Sequence, residues 1–426
     1  MTAVLVIAYL LVLGAGFWLR ALNLRYLKAH GTTVPPGFEG AVDAETLRKS
    51  VSYTIDQSRL GLVESLFDSG LLLAFLFGGI LAAYDRWIAS LTGSFVLAGV
   101  LFFLVLSLAQ TVLAIPFGLY GTFRLESRYG FNATTPGLWL SDLAKSTLIG
   151  VILTALLVAG AFALVSWSPE RWWLWVWGFF AAVSLFLMYL SPFVIEPLFH
   201  KFEPVTEEGL ESEIRAMAGR AGLKVSRVMQ VDASRRSRHS NAYFTGIGRV
   251  KRIVLYDTLI RQMTHREILA VLAHEIGHWK RGHIRRRLIL AEIAALAGSW
   301  LVWRIAGWEG LPGLVDLADA SFAARLVVIG FLSSLISFPL TPLSSWLSRR
   351  HEREADRFAV DLSGDPEALA SALVKLSTEN LANLHPHPLY AAFYYSHPPV
   401  VERVRTLRAM AKDCPSSAPS DITAAF

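Results

Sequence analysis

Along the first 346 residues, long apolar stretches alternate with short polar ones. Seven of these stretches approximate the roughly 20 residues that cross about 30 Å of hydrocarbon at 1.5 Å per helical residue. The first, VLVIAYLLVLGAGFWL, starts at Val4. The others run from about Phe67 to Tyr84, Phe95 to Leu119, Thr147 to Trp167, Trp172 to Val194, Leu288 to Ala306 and Ala323 to Trp346. Met1 to Trp18 contain no Lys or Arg, so the first stretch lacks the basic start of a secretion signal and reads as an uncleaved span.

Two polar regions interrupt this pattern, 196–287 and 348–426. In the first, EEGLESEIRAMAGRAGL reads as an amphipathic helix ending at glycine. SNAYFTGIG followed by KRIVLYDTLI reads as a β-hairpin around a Gly-containing turn. THREILAVLAHEIGHWKRGH opens with a Thr-x-x-Glu capping box, Thr264 and Glu267, and continues with helical periodicity. The expected organisation is spans one to five in 1–195, a polar region in 196–287 and spans six and seven in 288–347. A second polar region in 348–410 and a disordered tail in 411–426 complete it.

Composition agrees: 54% of the 426 residues are hydrophobic and 17% charged, more apolar than a soluble chain of this size. Basic residues set the expected orientation. The loop after the first span carries Arg20, Arg25, Lys28, Arg48, Lys49 and Arg59, and that after the third carries Arg124, Arg128 and Lys145. The alternate loops hold only Arg86, Arg171 and, between Trp308 and Ser321, none. The N-terminus is therefore expected outside, and the C-terminus and both polar regions in the cytoplasm. On this reading the Asn132 sequon carries no glycan. The net charge of +6 suits anionic headgroups, and no nucleic-acid module is present. Cys414 is the one cysteine, which excludes a disulfide framework and a cysteine metal site.

The candidate chemistry lies in HEIGH, 274–278. His274 and His278, one helical turn apart, can offer their rings to one zinc ion, with Glu275 placed as a general base. A third ligand is missing from this helix: Arg281 and Ile284 stand where the metzincin pattern needs Gly and His, and His283 is one residue off register. A glutamate from a later helix is the other common arrangement, often with an aspartate four residues on. LSRRHEREADRFAVDL, 347–362, supplies Glu352 and Asp356 at that spacing, with Glu354 as the rival. One transmembrane hairpin between HEIGH and this segment would return Glu352 to the level of His278.

At this point the chain resembles a known family, the type 1 CAAX prenyl proteases, integral-membrane zinc metalloproteases. RYGFNATTPGLWLSD, SNAYFTGIGRVKRIVLYDTL, HEIGHWKRGH, SRRHEREADRFA and YYSHPPVVERVRTL occur in the family's order. The resemblance implies an all-α membrane protein whose seven helices enclose a water-filled intramembrane chamber, with a cytoplasmic α+β protease region of gluzincin-like type. It implies one zinc ion held by His274, His278 and Glu352, Glu275 as general base, and Asp356 orienting a ligand histidine. His397 would donate to the oxyanion, and Asn241 and Ala242 of the edge strand would hold the substrate backbone. Arg403 would support the site near the substrate's C-terminal carboxylate. The substrate would be a peptide or protein, prenylated or not. Asp68, Glu196 and Glu292, at or within span edges, should face a wet interior or a partner and not lipid. RYGFNATTP receives no chemical role.

The Ala- and Leu-rich chain with short loops looks bacterial, which points to an inner-membrane location and puts the prenylated substrate in question. Two other functions fit parts of the pattern: a broader quality-control protease of HtpX type, and a channel or scaffold with a structural zinc. A structural zinc normally fills all four positions with protein ligands, and here three plus a placed glutamate are found.

Overall fold

The computed structural model describes residues 1–245, 251–317 and 319–413. Among these, seven helices are long and apolar enough to cross a membrane: Thr2–His30, Ala44–Phe77, Phe95–Tyr129, Pro136–Trp167, Trp172–Phe199, His283–Ala306 and Phe322–Ser363. They bury little of themselves against one another and display large apolar side chains such as Leu11, Trp18, Leu148 and Leu156. In water such a surface would aggregate; in lipid it is solvated.

The second span differs from the expected Phe67–Tyr84. The helix starts at Ala44, where Asp43 caps the Thr46 N–H, and stops at Phe77. Gly78 and Gly79 then break it, and Gly79 adopts φ +78°, a left-handed conformation that favours glycine. The apolar run simply continues into a short second helix, Ile80–Leu91, so hydropathy alone does not register the break.

The seventh helix outlasts its apolar stretch by a wide margin. Its 42 residues span about 63 Å, so the part beyond Trp346 leaves the hydrocarbon as the same helix and enters the polar region. There Phe358 and Leu362 join a core with Ile268, Leu272 and Ile276 of the helix His265–Lys280. Each such buried side chain contributes about 1.5–3 kcal/mol. The spans and the protease region therefore share one structural member.

A four-stranded sheet backs this core: β1 (Phe202–Pro204), β2 (Val225–Val231), β3 (Ala242–Thr245) and β4 (Lys251–Tyr256), in the order β1-β2-β4-β3. β2 and β4 are parallel, and β3 pairs antiparallel with β4, Ala242 opposite Leu255. The expected hairpin turn, 246–250, lies outside the described residues, as does the tail from Cys414. The last helix, Val400–Asp413, runs three residues past the expected boundary at Met410. The amphipathic helix Leu210–Arg220 covers the sheet with Leu210, Ile214 and Met217.

Candidate active site

The site helix His265–Lys280 begins as its sequence dictates. Thr264 and Glu267 cap each other, the Thr264 N–H donating to Glu267 Oε2 at 2.8 Å. Glu267 also accepts from Ser371 Oγ and Lys375 Nζ, both at 2.7 Å, which ties the helix start to the helix Pro366–Glu379. The helix does not run straight into the sixth span. It ends at Lys280, and Gly282, at φ +67°, turns the chain into His283–Ala306. A non-glycine residue would be strained there.

The site helix then meets the seventh helix at close range. A Cβ on Gly277 would lie 3.1 Å from both the Cα and the carbonyl oxygen of Ala355. Glycine and alanine at this crossing let the two backbones approach, and the approach carries Glu352 in between the two histidines. His274 Nε2 lies 3.2 Å from Glu352 Oε2, His278 Nε2 lies 3.3 Å from Glu352 Oε1, and the two Nε2 atoms are 3.2 Å apart.

Three atoms each about 2.0–2.1 Å from one ion at tetrahedral angles stand about 3.3 Å apart. The two imidazole nitrogens stand at that separation, each lies 3.2–3.3 Å from one of the two Glu352 oxygens, and one ligand atom from each residue falls within 4.8 Å of the others, so the three groups together could hold one metal ion. Their hydrogen bonding agrees. His274 Nδ1 lies 2.8 Å from Asp356 Oδ1, and a carboxylate only accepts, so Nδ1 carries the proton and Nε2 offers its lone pair to the centre. Glu352 Oε2 is buried and accepts no hydrogen bond among the described residues, though His274 and His397 surround it. Two lone pairs facing each other in a buried site need a positive charge between them, a proton on Nε2 or a metal ion that displaces it.

Both histidines have a supporting chain. Asp356 behind His274 is gripped by Arg403, with Nε to Oδ2 at 2.9 Å and Nη2 to Oδ1 at 2.6 Å. The resemblance implied that Arg403 supports the site, near the substrate's C-terminal carboxylate; its buried fork is engaged with Asp356, behind the ligand His274. Behind His278 stands the pair His283 and Glu354, whose contact sequence reasoning did not foresee. His283 Nδ1 is 3.1 Å from His278 Nδ1, and His283 Nε2 is 3.1 Å from Glu354 Oε2. His283 also stacks on His351, ring centroids 4.2 Å apart. Glu354, the rival ligand, is thus held outside the metal triangle by His283 and by Arg350 at 3.1 Å. The signal was present in two neighbouring residues, His283 and Glu354, each just beyond a proposed ligand.

Burial is the largest influence on Glu275 and raises its carboxyl above the ordinary value, against the pull of the two histidines. For the metal-free His274, burial opposes the charged form. Asp356 and Glu352 outweigh it and hold the imidazole at about 9. A metal must displace that proton, so affinity falls with falling pH.

His397 reaches the centre from the turn before the last helix. Its Nε2 lies 3.4 Å from Glu352 Oε2, and its Nδ1 is 2.9 Å from Ser396 Oγ. β3 is an edge strand packed beside the site helix. Asn241, just before it, folds its Oδ1 onto the Ala242 N–H at 2.8 Å, while its carbonyl accepts from the Tyr256 N–H at 3.0 Å.

RYGFNATTP also finds its place. Asn132 bridges Ser237, the Arg238 N–H donates to the Phe131 carbonyl at 3.0 Å, and Phe131 stacks on His239 at 4.0 Å. Asp142 takes both ends of Arg236 at 2.8 and 3.0 Å. This motif docks the segment that leads into β3.

Fold and site together define an integral, multi-pass membrane metallopeptidase. Residues 23–201 match the family model described as CAAX prenyl protease N-terminal, five membrane helices, and residues 204–411 match that of peptidase family M48; the chain belongs to this family. It is a membrane metalloprotease of CAAX prenyl protease type, similar to the CAAX prenyl protease 1 homologue of Arabidopsis thaliana, 36% identical over 91% of this chain and 93% of that one. CAAX prenyl protease 1 of Saccharomyces cerevisiae is 31% identical over 90% of each chain. The crystal structure of S. mikatae Ste24p superposes with a TM-score of 0.85 at 29% identity, covering 95% of this chain and 98% of that one. These full-length matches do not favour the quality-control or scaffold readings.

Proposed function

We propose that the chain is a zinc endopeptidase that trims prenylated CAAX substrates near their C-terminus, with its site on the cytoplasmic face and its N-terminus outside. The observation that carries the metal reading is the convergence of His274, His278 and Glu352, whose imidazole nitrogens stand 3.2 Å apart with one Glu352 oxygen 3.2–3.3 Å from each. Two imidazoles and one carboxylate suit zinc and leave a coordination position open for chemistry. When bound, zinc supplies a Lewis acid that polarises the scissile carbonyl and makes water acidic near neutral pH.

The chain's own residues do the rest. Glu275, its carboxyl raised by burial, takes a proton from the attacking water and passes it to the leaving amine. His397 donates to the developing oxyanion. The open edge of β3, led in by Asn241 and Ala242, aligns the substrate backbone as an added strand. Asp356 and Arg403 keep His274 in the tautomer that leaves Nε2 free.

The test is cleavage by the purified protein in detergent, read by mass spectrometry, of a farnesylated CAAX peptide and its unprenylated twin. The expected result is loss of the last three residues from the farnesylated peptide alone, one zinc per chain by elemental analysis, and retained zinc in Glu275→Gln. That variant should lose about 10²–10⁴-fold in turnover. Equal cleavage of both peptides would remove the prenyl requirement, and an active Glu275→Gln would remove the proposed base.

A further inference from the structure

The strongest unassigned feature lies between the second and third spans. Positions 56, 59, 60 and 63 form one stripe of the helix Ala44–Phe77 and face Phe117, Tyr120 and Arg124 across a groove of about 1110 Å³. Its polar end carries the guanidiniums of Arg59, Arg124 and Arg128 against the single carboxylate of Asp56. Asp56 is engaged with Arg128 at 2.8 Å, with Arg59 at 3.4 Å and with the Tyr129 hydroxyl at 2.8 Å, so one carboxylate is shared by two guanidiniums, while Arg124 makes no ion pair among the described residues. The residues that bring Arg124 here form a π-helical turn, Gly121–Glu126, between α-helical segments, a local widening frequent at functional sites.

The groove is ordered by depth. Beyond the arginines it is apolar, and the exposed Val63 and Leu66 continue the helix surface away from them. The carboxylates Glu64 and Asp68 line a different cavity, on a stripe about a third of a turn away on the same helix. The basic end lies on the protease side of the membrane, because Tyr129 leads directly into the loop paired with residues 236–238.

We propose that this groove binds an anionic phospholipid, its phosphodiester on the three arginines and an acyl chain along Val63 and Phe117. Guanidinium forks match phosphate oxygens, and basic pockets between spans at the headgroup level select anionic lipids. Tyr120, 55% exposed, stands at the boundary where an amphipathic ring is expected. The chemistry recognised is a phosphate anion; the depth ordering assigns it to a lipid and not to free phosphate.

The experiment is native mass spectrometry of the full chain in detergent, titrated with phosphatidylglycerol or phosphatidylcholine. Phosphatidylglycerol should bind roughly tenfold or more tightly, and Arg59→Gln with Arg124→Gln should abolish that preference while leaving the Arg128–Asp56 pair in place. Thermal melting without lipid reads the fold separately, and Arg124→Gln alone, which breaks no ion pair, serves if the double variant fails to fold. Equal binding of both lipids, or a folded variant that keeps the preference, would overturn the proposal. Displacement of phosphatidylglycerol by millimolar inorganic phosphate would overturn the lipid assignment in favour of a free-phosphate site.

Discussion

Asp356 lies 2.8 Å from His274 Nδ1 and is itself held at both oxygens by Arg403. One carboxylate, four residues after Glu352 on the same helix, thus sets the tautomer of a histidine on another helix. Arg403, on the last helix, locks the arrangement from a third direction.

Breaking that lock should weaken metal binding and not abolish the fold. Arg403→Lys keeps the charge but loses the two-pronged grip, so it should behave more like Arg403→Gln than like wild type. Both, like Asp356→Asn, should lower metal affinity about 10- to 100-fold, measured by competition with a chelator of known affinity. Wild-type affinity in Arg403→Lys would show that charge alone suffices.

Glu352 and Glu354 should separate cleanly. Glu352→Ala should lose most of the metal, because it removes one corner of the triangle. Glu354→Gln leaves the three ligands in place and loosens His283 behind His278 along with the Arg350 ion pair, so metal should remain, with affinity down by about tenfold. Elemental analysis after dialysis checks both. Full metal in Glu352→Ala with loss in Glu354→Gln would reverse the assignment.

Gly277→Ala tests the helix crossing. The added methyl would sit 3.1 Å from the Ala355 backbone, which cannot move as a side chain can, so the two helices must separate by a few tenths of an ångström. We expect a cost of about 1–3 kcal/mol, read as a lowered melting temperature, together with weaker metal binding as Glu352 withdraws. A variant with unchanged melting and unchanged metal affinity would show that the close approach is not required.

His239 couples the loop at Phe131 to the strand leading into the site. Its Nε2 is 3.3 Å from Glu126 Oε2 and its Nδ1 is 2.9 Å from Asn380 Oδ1; both partners accept, which favours the doubly protonated ring. Glu126 above all, opposed by burial, raises its pKa above the ordinary histidine value of about 6.5. The sign follows: the folded state binds the proton more tightly than the unfolded chain. The stabilisation is therefore complete below the ordinary value and is lost as pH rises through the raised one. The melting temperature should fall across that interval, and His239→Gln should flatten the fall. An equal decline in His239→Gln would place its cause elsewhere.

Much of this protein is local and therefore legible in sequence. Apolar length specifies a span, because a helix rises 1.5 Å per residue through a layer of fixed thickness. The pair His274 and His278 shares a helix face at spacing four whatever surrounds it, and Thr264 and Glu267 cap each other within three residues. What the tertiary structure decided is rotation and approach between elements. Glu352 and Glu354 point about 200° apart on one helix, and only the packing of Phe358 and Leu362 into the protease core turns the first toward the histidines. The contact of Gly277 with Ala355 sets how near the helices come, and the left-handed Gly79 ends a helix inside an unbroken apolar run. Arg403 and His283 gained their partners from residues 47 and 71 positions away in the chain. Local periodicity carries no information about such distant pairs, because their geometry exists only once the helices have packed.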